Sequence, residues 1–187
     1  MSDPNLTKTA VPPRVQITPH PEWAQKFWDD LVPLKNKIVE HVLFKDMNEG
    51  KITREQWQRV FVDFYVLIEN FPKFMALNLA KLGSGAAPGH LEARFWLLQN
   101  MKIESKHADW WCDWAESLNY TREEIYQAEP NPLMDAINHY LWFINTRGSF
   151  VEGLAATNLA IEWPTGEWSV GIAKTFNVYA EQGLTVN

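Results

Sequence analysis

The chain has 187 residues, 46% of them hydrophobic, and its ten tryptophans and ten phenylalanines supply enough apolar surface for one domain with a sizeable core. Its formal net charge is −6 and it has no run of lysine or arginine, which argues against nucleic acid or an anionic membrane as a partner. No apolar run approaches the ~20 residues that span a bilayer, and the N-terminus lacks a signal-peptide core. A single cysteine, Cys112, excludes an intrachain disulfide, and we expect a cytoplasmic protein.

The chain begins with a segment that lacks hydrophobic periodicity. Residues 1–21 are rich in proline and threonine, which predicts an extended arm ahead of a single helical domain over 22–187. In the stretch that follows, apolar residues recur every three or four positions and predict a helix. Pro33 is expected to break or kink this helix near Asp30, and residues 48–50 to end it.

A second helix is predicted from its start signal. Thr53 followed by Gln56 has the spacing of a capping box, and the helix it begins should be kinked by Pro72. The glycine-rich loop at 83–89 then joins it to one long helix, apolar on one side, over 91–118. A short connection of this kind makes the two helices antiparallel neighbours.

Further helices are predicted in the last third of the chain. Thr121 and Glu124 form another capping box, and Asn131 caps a helix that Gly148 ends. An apolar stripe over 150–162 indicates the next helix; residues 164–166 are expected to break it, and a final helix should run to about residue 182. No segment shows strand alternation, so the predicted class is all-α.

Glutamates interrupt three of the apolar helical stripes, and they are the candidate functional groups. Glu69, Glu104 and Glu162 each follow apolar residues at helical spacing, with few lysines or arginines beside them. A buried carboxylate costs several kcal/mol unless it is paired, protonated or bound to a metal. His107 follows Glu104 at i+3, on the same helix face. Carboxylates with imidazoles suit iron or manganese, so these four residues are candidate metal ligands.

Each candidate also has a structural interpretation, and the residues alone leave both open. Glu104 and His107 match a short motif that occurs by chance on helix surfaces. Glu69 could be a hydrogen-bonded carboxyl at a proline kink, and Glu162 could cap or form an ion pair in the turn that follows it. Cys112 is interpreted as a buried small hydrophobe because no base is recognisable beside it.

Three segments carry a resemblance to a known family. IENFPKF, LLQNMKIESKHADWWCDWAESL and EGLAATNLAIE resemble helices of the haem-oxygenase-like superfamily over residues 20–185. This superfamily includes thiaminase II, pyrroloquinoline-quinone synthase and a non-haem di-iron oxidase branch, which the segments match best. The resemblance implies a bundle of about seven helices. It also implies a homodimer that acts on a small molecule.

The resemblance also implies a ligand set. In the di-iron branch a glutamate precedes a histidine and an aromatic residue, here Glu104, His107 and Trp110, and a second glutamate follows, here Glu162. Some members add a carboxylate from the preceding helix, here Glu69. The pattern then expects an H-x-x-x-D/E-x-x-H helix, and the sequence given ends before it. We expect the natural polypeptide to continue with these ligands; a shortened form with an incomplete site is the alternative.

The function implied is that of an O₂-activating non-haem iron oxidase or oxygenase acting on a small amino or carboxylic acid. It would use iron, as two ions if the later ligands are present, with O₂ as co-substrate. We expect Tyr65, Trp110 and Trp111 to line the substrate pocket; no residue is assigned as catalytic acid or base. The alternatives are a metal-free thiaminase-like or quinone-synthase-like enzyme, a small-molecule-binding protein of cofactor metabolism, and a helical scaffold.

Overall fold

Helices account for the regular structure of this computed structural model, which describes residues 19–83 and 87–184, and no strand occurs within those ranges. The predicted all-α class is confirmed. The predicted arm lies mostly in residues 1–18, outside the described residues. No described helix combines the length and the apolar character needed to cross a membrane. The described helices are α1 (Glu22–Val39), α2 (Val42–Asn48), α3 (Arg54–Lys81), α4 (His90–Glu104), α5 (His107–Ser117), α6 (Arg122–Gln127), α7 (Pro132–Arg147), α8 (Phe150–Leu154) and α9 (Glu162–Glu181).

Helix α3 is the central element, and α4, α5, α6, α7 and α8 all pack against it. It is 28 residues long and begins at the predicted capping box, in which the Thr53 hydroxyl accepts from Gln56 N and the Gln56 side chain accepts from Thr53 N. Pro72 lies inside this continuous helix. Because α3 is covered on several sides, it buries aromatic and aliphatic side chains along its whole length.

Two hydrophobic clusters form along α3. The first surrounds its N-terminal half and joins α2, α5 and α9 through Met47, Trp57, Phe61, Trp111 and Tyr179. The second surrounds its C-terminal half and joins α4 and α7 through residues that include Phe74, Met75, Leu97 and Leu141. The central helix therefore supplies side chains to both clusters, while the predicted long helix at 91–118 contributes one part of itself to each.

The single helix predicted over 91–118 is wrong, because the chain turns between α4 and α5. Lys106 N bonds to Ile103 O at 3.0 Å, an i−3 pairing that tightens the last turn, and α5 starts afresh at His107. The Ser105 hydroxyl donates to Lys102 O at 3.1 Å and so takes a carbonyl from the ladder. Glu104 and His107 consequently lie at the two sides of a helix break.

Neither predicted helix break at a proline is found. Helix α1 continues through Pro33 to Val39, so the kink expected near Asp30 stays a prediction. Asp29, whose carbonyl loses its partner to the proline, is exposed, so water can take the free acceptor. Residues 164–166 do not end a helix either, because α9 begins at Glu162 and Pro164 sits in its first turn, where a missing N–H costs nothing. The interruption comes earlier: a π-helical turn over Ala155–Leu159 continues α8, and the two turn residues 160–161 separate it from α9.

Buried amides connect α3, α7 and the π-helical turn. Asn78 Nδ2 donates to Asn145 Oδ1 at 2.7 Å, and Asn145 Nδ2 donates to Thr157 Oγ1 at 2.8 Å. All three side chains are fully buried. Hydrogen-bonded polar groups in a core fix one arrangement of their helices, because each lost bond leaves an unsatisfied buried atom.

Helix α1 is attached mainly through aromatic and charged side chains, since it has no buried residue of its own. The Trp28 ring stacks on Trp163 with centroids 3.8 Å apart. Lys35 Nζ lies 2.6 Å from Glu167 Oε1 and 5.2 Å from the Trp163 ring centroid. These contacts hold α1 against the first turns of α9, next to Glu162.

Replacing Trp28 by alanine is expected to lower the free energy of unfolding by about 1–2 kcal/mol, because an aromatic pair and its buried area are lost. Trp23 on the same helix is 74% exposed, so Trp23→Ala should change stability by less than about 0.5 kcal/mol. Urea denaturation followed by far-UV circular dichroism measures both. Equal midpoints for the two variants would show that the stacked pair does not hold α1 in place.

Candidate metal centre

A carboxylate and an imidazole meet at the break between α4 and α5. Glu104 is the last residue of α4 and His107 the first of α5, and His107 Nδ1 lies 2.6 Å from Glu104 Oε2. Glu104 is 8% exposed. The predicted i, i+3 proximity is therefore present, although a turn rather than a continuous helix creates it.

Helix dipoles oppose the placement of both groups. A carboxylate at the C-terminus of α4 and a protonated imidazole at the N-terminus of α5 each face the end of the dipole with the same sign of charge. Their mutual hydrogen bond offsets this cost: Glu104 raises the pKa of His107 by accepting that bond, against the opposing effect of burial. The contact between the two side chains therefore stabilises the pair, whereas the dipoles of the two helices oppose it.

Glu162, the first residue of α9, is the third member of this cluster. Burial and, to a lesser extent, the nearby Glu104 carboxylate raise the pKa of Glu162 to about 7, and His107 acts in the opposite direction. In the described part of the chain neither Glu104 nor Glu162 forms an ion pair with lysine or arginine. Two carboxylates beside one imidazole, with no lysine or arginine paired to either, form a site that a cation would stabilise.

The donor set of this cluster fits iron or manganese, as two carboxylates and one imidazole. His107 binds Glu104 through Nδ1, which leaves Nε2 as the nitrogen available to a metal. As they stand, no three histidine, cysteine, aspartate or glutamate side chains within 19–83 and 87–184 are grouped closely enough to hold a metal ion. Metal binding would therefore require Glu162 to lose its proton and approach the pair.

Glu69 does not share this environment. Its Oε1 lies 2.7 Å from Lys73 Nζ, one helical turn on, so the few cations expected beside the three glutamates include a partner for Glu69. No hydrogen bond or ion pair within the described residues joins Glu69 to Glu104 or His107. Its role as a ligand remains a prediction.

The three expected pocket residues lie in different surroundings. Trp110 is half exposed, with its ring centroid 5.2 Å from that of His107. Trp111 is in the core, where its indole N–H donates to Phe61 O at 2.9 Å. The Tyr65 ring packs 5.5 Å from Tyr126, and burial together with Glu69 raises the pKa of its phenol.

Cys112 is buried, as expected for a small hydrophobe. Burial raises the pKa of its thiol, which keeps it protonated and unreactive at neutral pH.

Two surface features near the cluster have no counterpart in the sequence predictions. A shallow depression at the start of α9 is lined by Glu162, Trp163, Gly166, Glu167 and Val170. A groove of about 390 Å³ lies between α5 and α9, and Trp114, Trp168 and Phe176 form its aromatic walls. Finding this groove from the sequence would have required knowing that Trp114 of α5 lies against Phe176 of α9.

Comparisons with known proteins agree with this fold and with each other. The chain is 30% identical over 106 residues to a 4-aminobenzoate synthase of Chlamydia trachomatis, covering 54% of this chain and 43% of the relative. A 4-aminobenzoate synthase of Chlamydia muridarum is 30% identical over 116 residues, covering 59% and 47%. The chain therefore spans less than half the length of the curated relatives it matches.

A solved structure also shows this fold. The crystal structure of a TenA homologue from Pseudomonas syringae pv. tomato superposes with a TM-score of 0.79 at 36% identity, over 87% of this chain and 66% of that chain. The TENA/THI-4/PQQC family matches residues 28–177, which is most of the sequence. The resemblance seen in the three segments is thereby confirmed, and the chain belongs to the TENA/THI-4/PQQC family.

Proposed function

We propose that this protein is an O₂-activating non-haem iron oxidase or oxygenase that acts on a small amino or carboxylic acid. The observation that carries the proposal is the cluster of Glu104, His107 and Glu162, in which the half-buried Glu162, with a pKa raised to about 7, lies near a second carboxylate and an imidazole. The similarity to two proteins named 4-aminobenzoate synthase supports an enzyme of this kind. Iron(II) held by such ligands would supply electrons to O₂.

The side chains would have separate tasks in this function. Glu104 accepts from Nδ1 of His107, which orients the ring and leaves Nε2 as the nitrogen that would bind iron once it has lost its proton. Glu162 can hold a proton near neutral pH and release it when a cation arrives, since burial and Glu104 both favour its neutral form. Trp110 beside His107 shields one side of the imidazole from water. A second iron ion would need the later ligands that the resemblance implies.

Anaerobic titration with Fe(II) tests the proposal. The protein is expected to bind iron, and His107→Ala and Glu162→Gln should each weaken binding by about tenfold or more, because each removes a ligand. His139→Ala is the matched control, since His139 is exposed on α7 and its ion pair within the described residues is with Asp135. Iron content by mass spectrometry and absorbance after admitting O₂ are the readouts. If the protein binds no iron, or His107→Ala binds it as tightly, the proposal fails.

A metal-free activity is the second candidate, and one observation favours it. The 2.6 Å contact between His107 and Glu104 is also the geometry of a general acid–base pair, in which the carboxylate orients the imidazole. In that case Fe(II) would not bind, and His107→Ala would abolish turnover without changing metal content. The same titration therefore separates the two candidates.

A further inference from the structure

Helix α7 carries large apolar side chains on the side that faces away from the core. Leu133, Tyr140 and Phe143 are 79%, 58% and 61% exposed. Two of the three buried residues of the same helix are asparagines, Asn138 and Asn145. An ordinary surface helix places its polar residues outward, and α7 departs from that pattern. A row of exposed apolar side chains of this size marks an interaction surface.

The exposed residues of α7 have the spacing of a seam between two paired helices. Positions 133, 136, 140, 143 and 147 are all exposed and are separated by alternating steps of three and four residues. At 100° per residue they share the side of the helix opposite the buried positions 138, 141 and 145. Two helices that pack side by side at a small crossing angle use this spacing. The seam consists of Leu133, Ala136, Tyr140, Phe143 and Arg147.

The seam is complementary to itself when two copies run antiparallel. A twofold axis that passes α7 at the level of residue 138 pairs positions equally distant from that level. Leu133 then meets Phe143 of the second copy, and Ala136 meets Tyr140 of the second copy. Each large ring or branched side chain therefore has a defined apolar partner, and the small alanine leaves room for the tyrosine ring.

The charges at the two ends of the seam also match in this arrangement. Arg147 lies nine residues after the level of the axis and Glu129 nine residues before it, in the segment that leads into α7. Both side chains are exposed, and neither forms an ion pair within residues 19–83 and 87–184. Antiparallel pairing places Arg147 of each copy at the end of α7 where Glu129 of the other copy lies. A parallel pair would instead bring like charges together.

The exposed area suits a second copy of the chain. Leu133, Tyr140 and Phe143, with Ile137 beside them at 42% exposure, leave roughly 500 Å² uncovered on each copy. A standard interface buries ~800 Å² per partner, and the charged ends of the seam would add to the apolar part. The contact is therefore large enough for a reversible dimer of moderate affinity.

We propose that the outer face of α7 binds a second copy of this chain, antiparallel and about a twofold axis at the level of residue 138. Leu133, Ala136, Tyr140 and Phe143 form its apolar centre, and Arg147 pairs with Glu129 of the second copy at both ends. The proposal is independent of the proposed iron chemistry.

Sedimentation equilibrium of the protein between about 1 and 100 μM tests the proposal. A reversible dimer is expected, with a Kd of about 1–10 μM. Tyr140→Asp buries a charge at the centre of the seam and should weaken the dimer by about 100-fold or more. Leu34→Asp is the matched control, because Leu34 is 55% exposed on α1 and outside the seam, and it should leave the Kd unchanged. Far-UV circular dichroism checks that both variants are folded.

A charge exchange tests the antiparallel register. Arg147→Glu alone and Glu129→Arg alone should each weaken the dimer by about tenfold, because like charges then face each other at both ends. The double variant should recover an affinity within about threefold of the wild type. A wild type that stays monomeric at 100 μM would overturn the proposal, as would a dimer that Leu34→Asp disrupts and Tyr140→Asp does not. A double variant no tighter than the single ones would overturn the register.

Discussion

Replacing Gly153 by alanine is expected to lower the free energy of unfolding by about 2–4 kcal/mol. Gly153 is buried in α8, and a Cβ added there would lie 2.1 Å from Asn78 Oδ1 and 2.8 Å from Asn145 Oδ1. Neither amide can retreat freely, because Asn78 Nδ2 donates to Asn145 Oδ1 and Asn145 Nδ2 donates to Thr157 Oγ1. The loss is large against the ~5–15 kcal/mol that stabilises a typical domain.

Gly166→Ala is the matched control for this prediction. No atom lies within 4 Å of a Cβ built at Gly166, which is inside α9, so alanine should be neutral there or stabilising by up to about 1 kcal/mol. Urea denaturation of both variants measures the difference. In an Asn78→Ala background, where the obstructing amide is gone, the cost of Gly153→Ala should shrink. A Gly153→Ala midpoint equal to that of Gly166→Ala would show that the close approach is not rigid.

The sequence was sufficient to predict features that depend on residues a few positions apart, such as the starts of helices. The capping boxes at Thr53 and Thr121 are formed as their spacing predicts, and α3 and α6 begin directly after them. Helix α7 begins directly after Asn131, whose side chain caps it. The proximity of Glu104 to His107 is likewise an i, i+3 relation that survives the helix break. Each of these features depends on residues a few positions apart, which sequence periodicity reports directly.

Features that depend on packing could not be predicted in this way. Helix periodicity continues through Ser105 and Lys106, so nothing in the pattern showed that α4 ends there. Glu162 interacts with Glu104 and His107 across more than fifty residues of sequence, and the groove beside Trp114 requires that ring to lie against Phe176 of α9. Glu69 is a different case, since Lys73 lies at i+4 and its ion pair was available in the sequence.

Stability of the metal-free protein is expected to fall as pH rises from 5 to 8, and Glu162 is one cause. Burial and Glu104 raise the pKa of Glu162 from its ordinary 4.5 to about 7 in the folded state. Because the folded value is higher, the protonated form favours folding; this contribution is complete below about pH 4.5 and is lost as pH rises through 7. Discounted for the exposed part of the side chain, it amounts to about 1–2 kcal/mol. Glu104 raises the pKa of His107, which adds a loss in the same direction.

Glu162→Gln isolates this contribution, because glutamine keeps the size of the side chain and cannot ionise. With metal removed by chelator, the variant should gain about 1–2 kcal/mol relative to the wild type between pH 5 and pH 8. Urea denaturation at the two pH values measures this change. Glu129→Gln, at an exposed loop position with no ion pair in the described ranges, should differ from the wild type by the same amount at both pH values. If Glu162→Gln behaves like Glu129→Gln, Glu162 is ionised in the folded protein throughout this range, and the carboxylates are farther apart than the cluster requires.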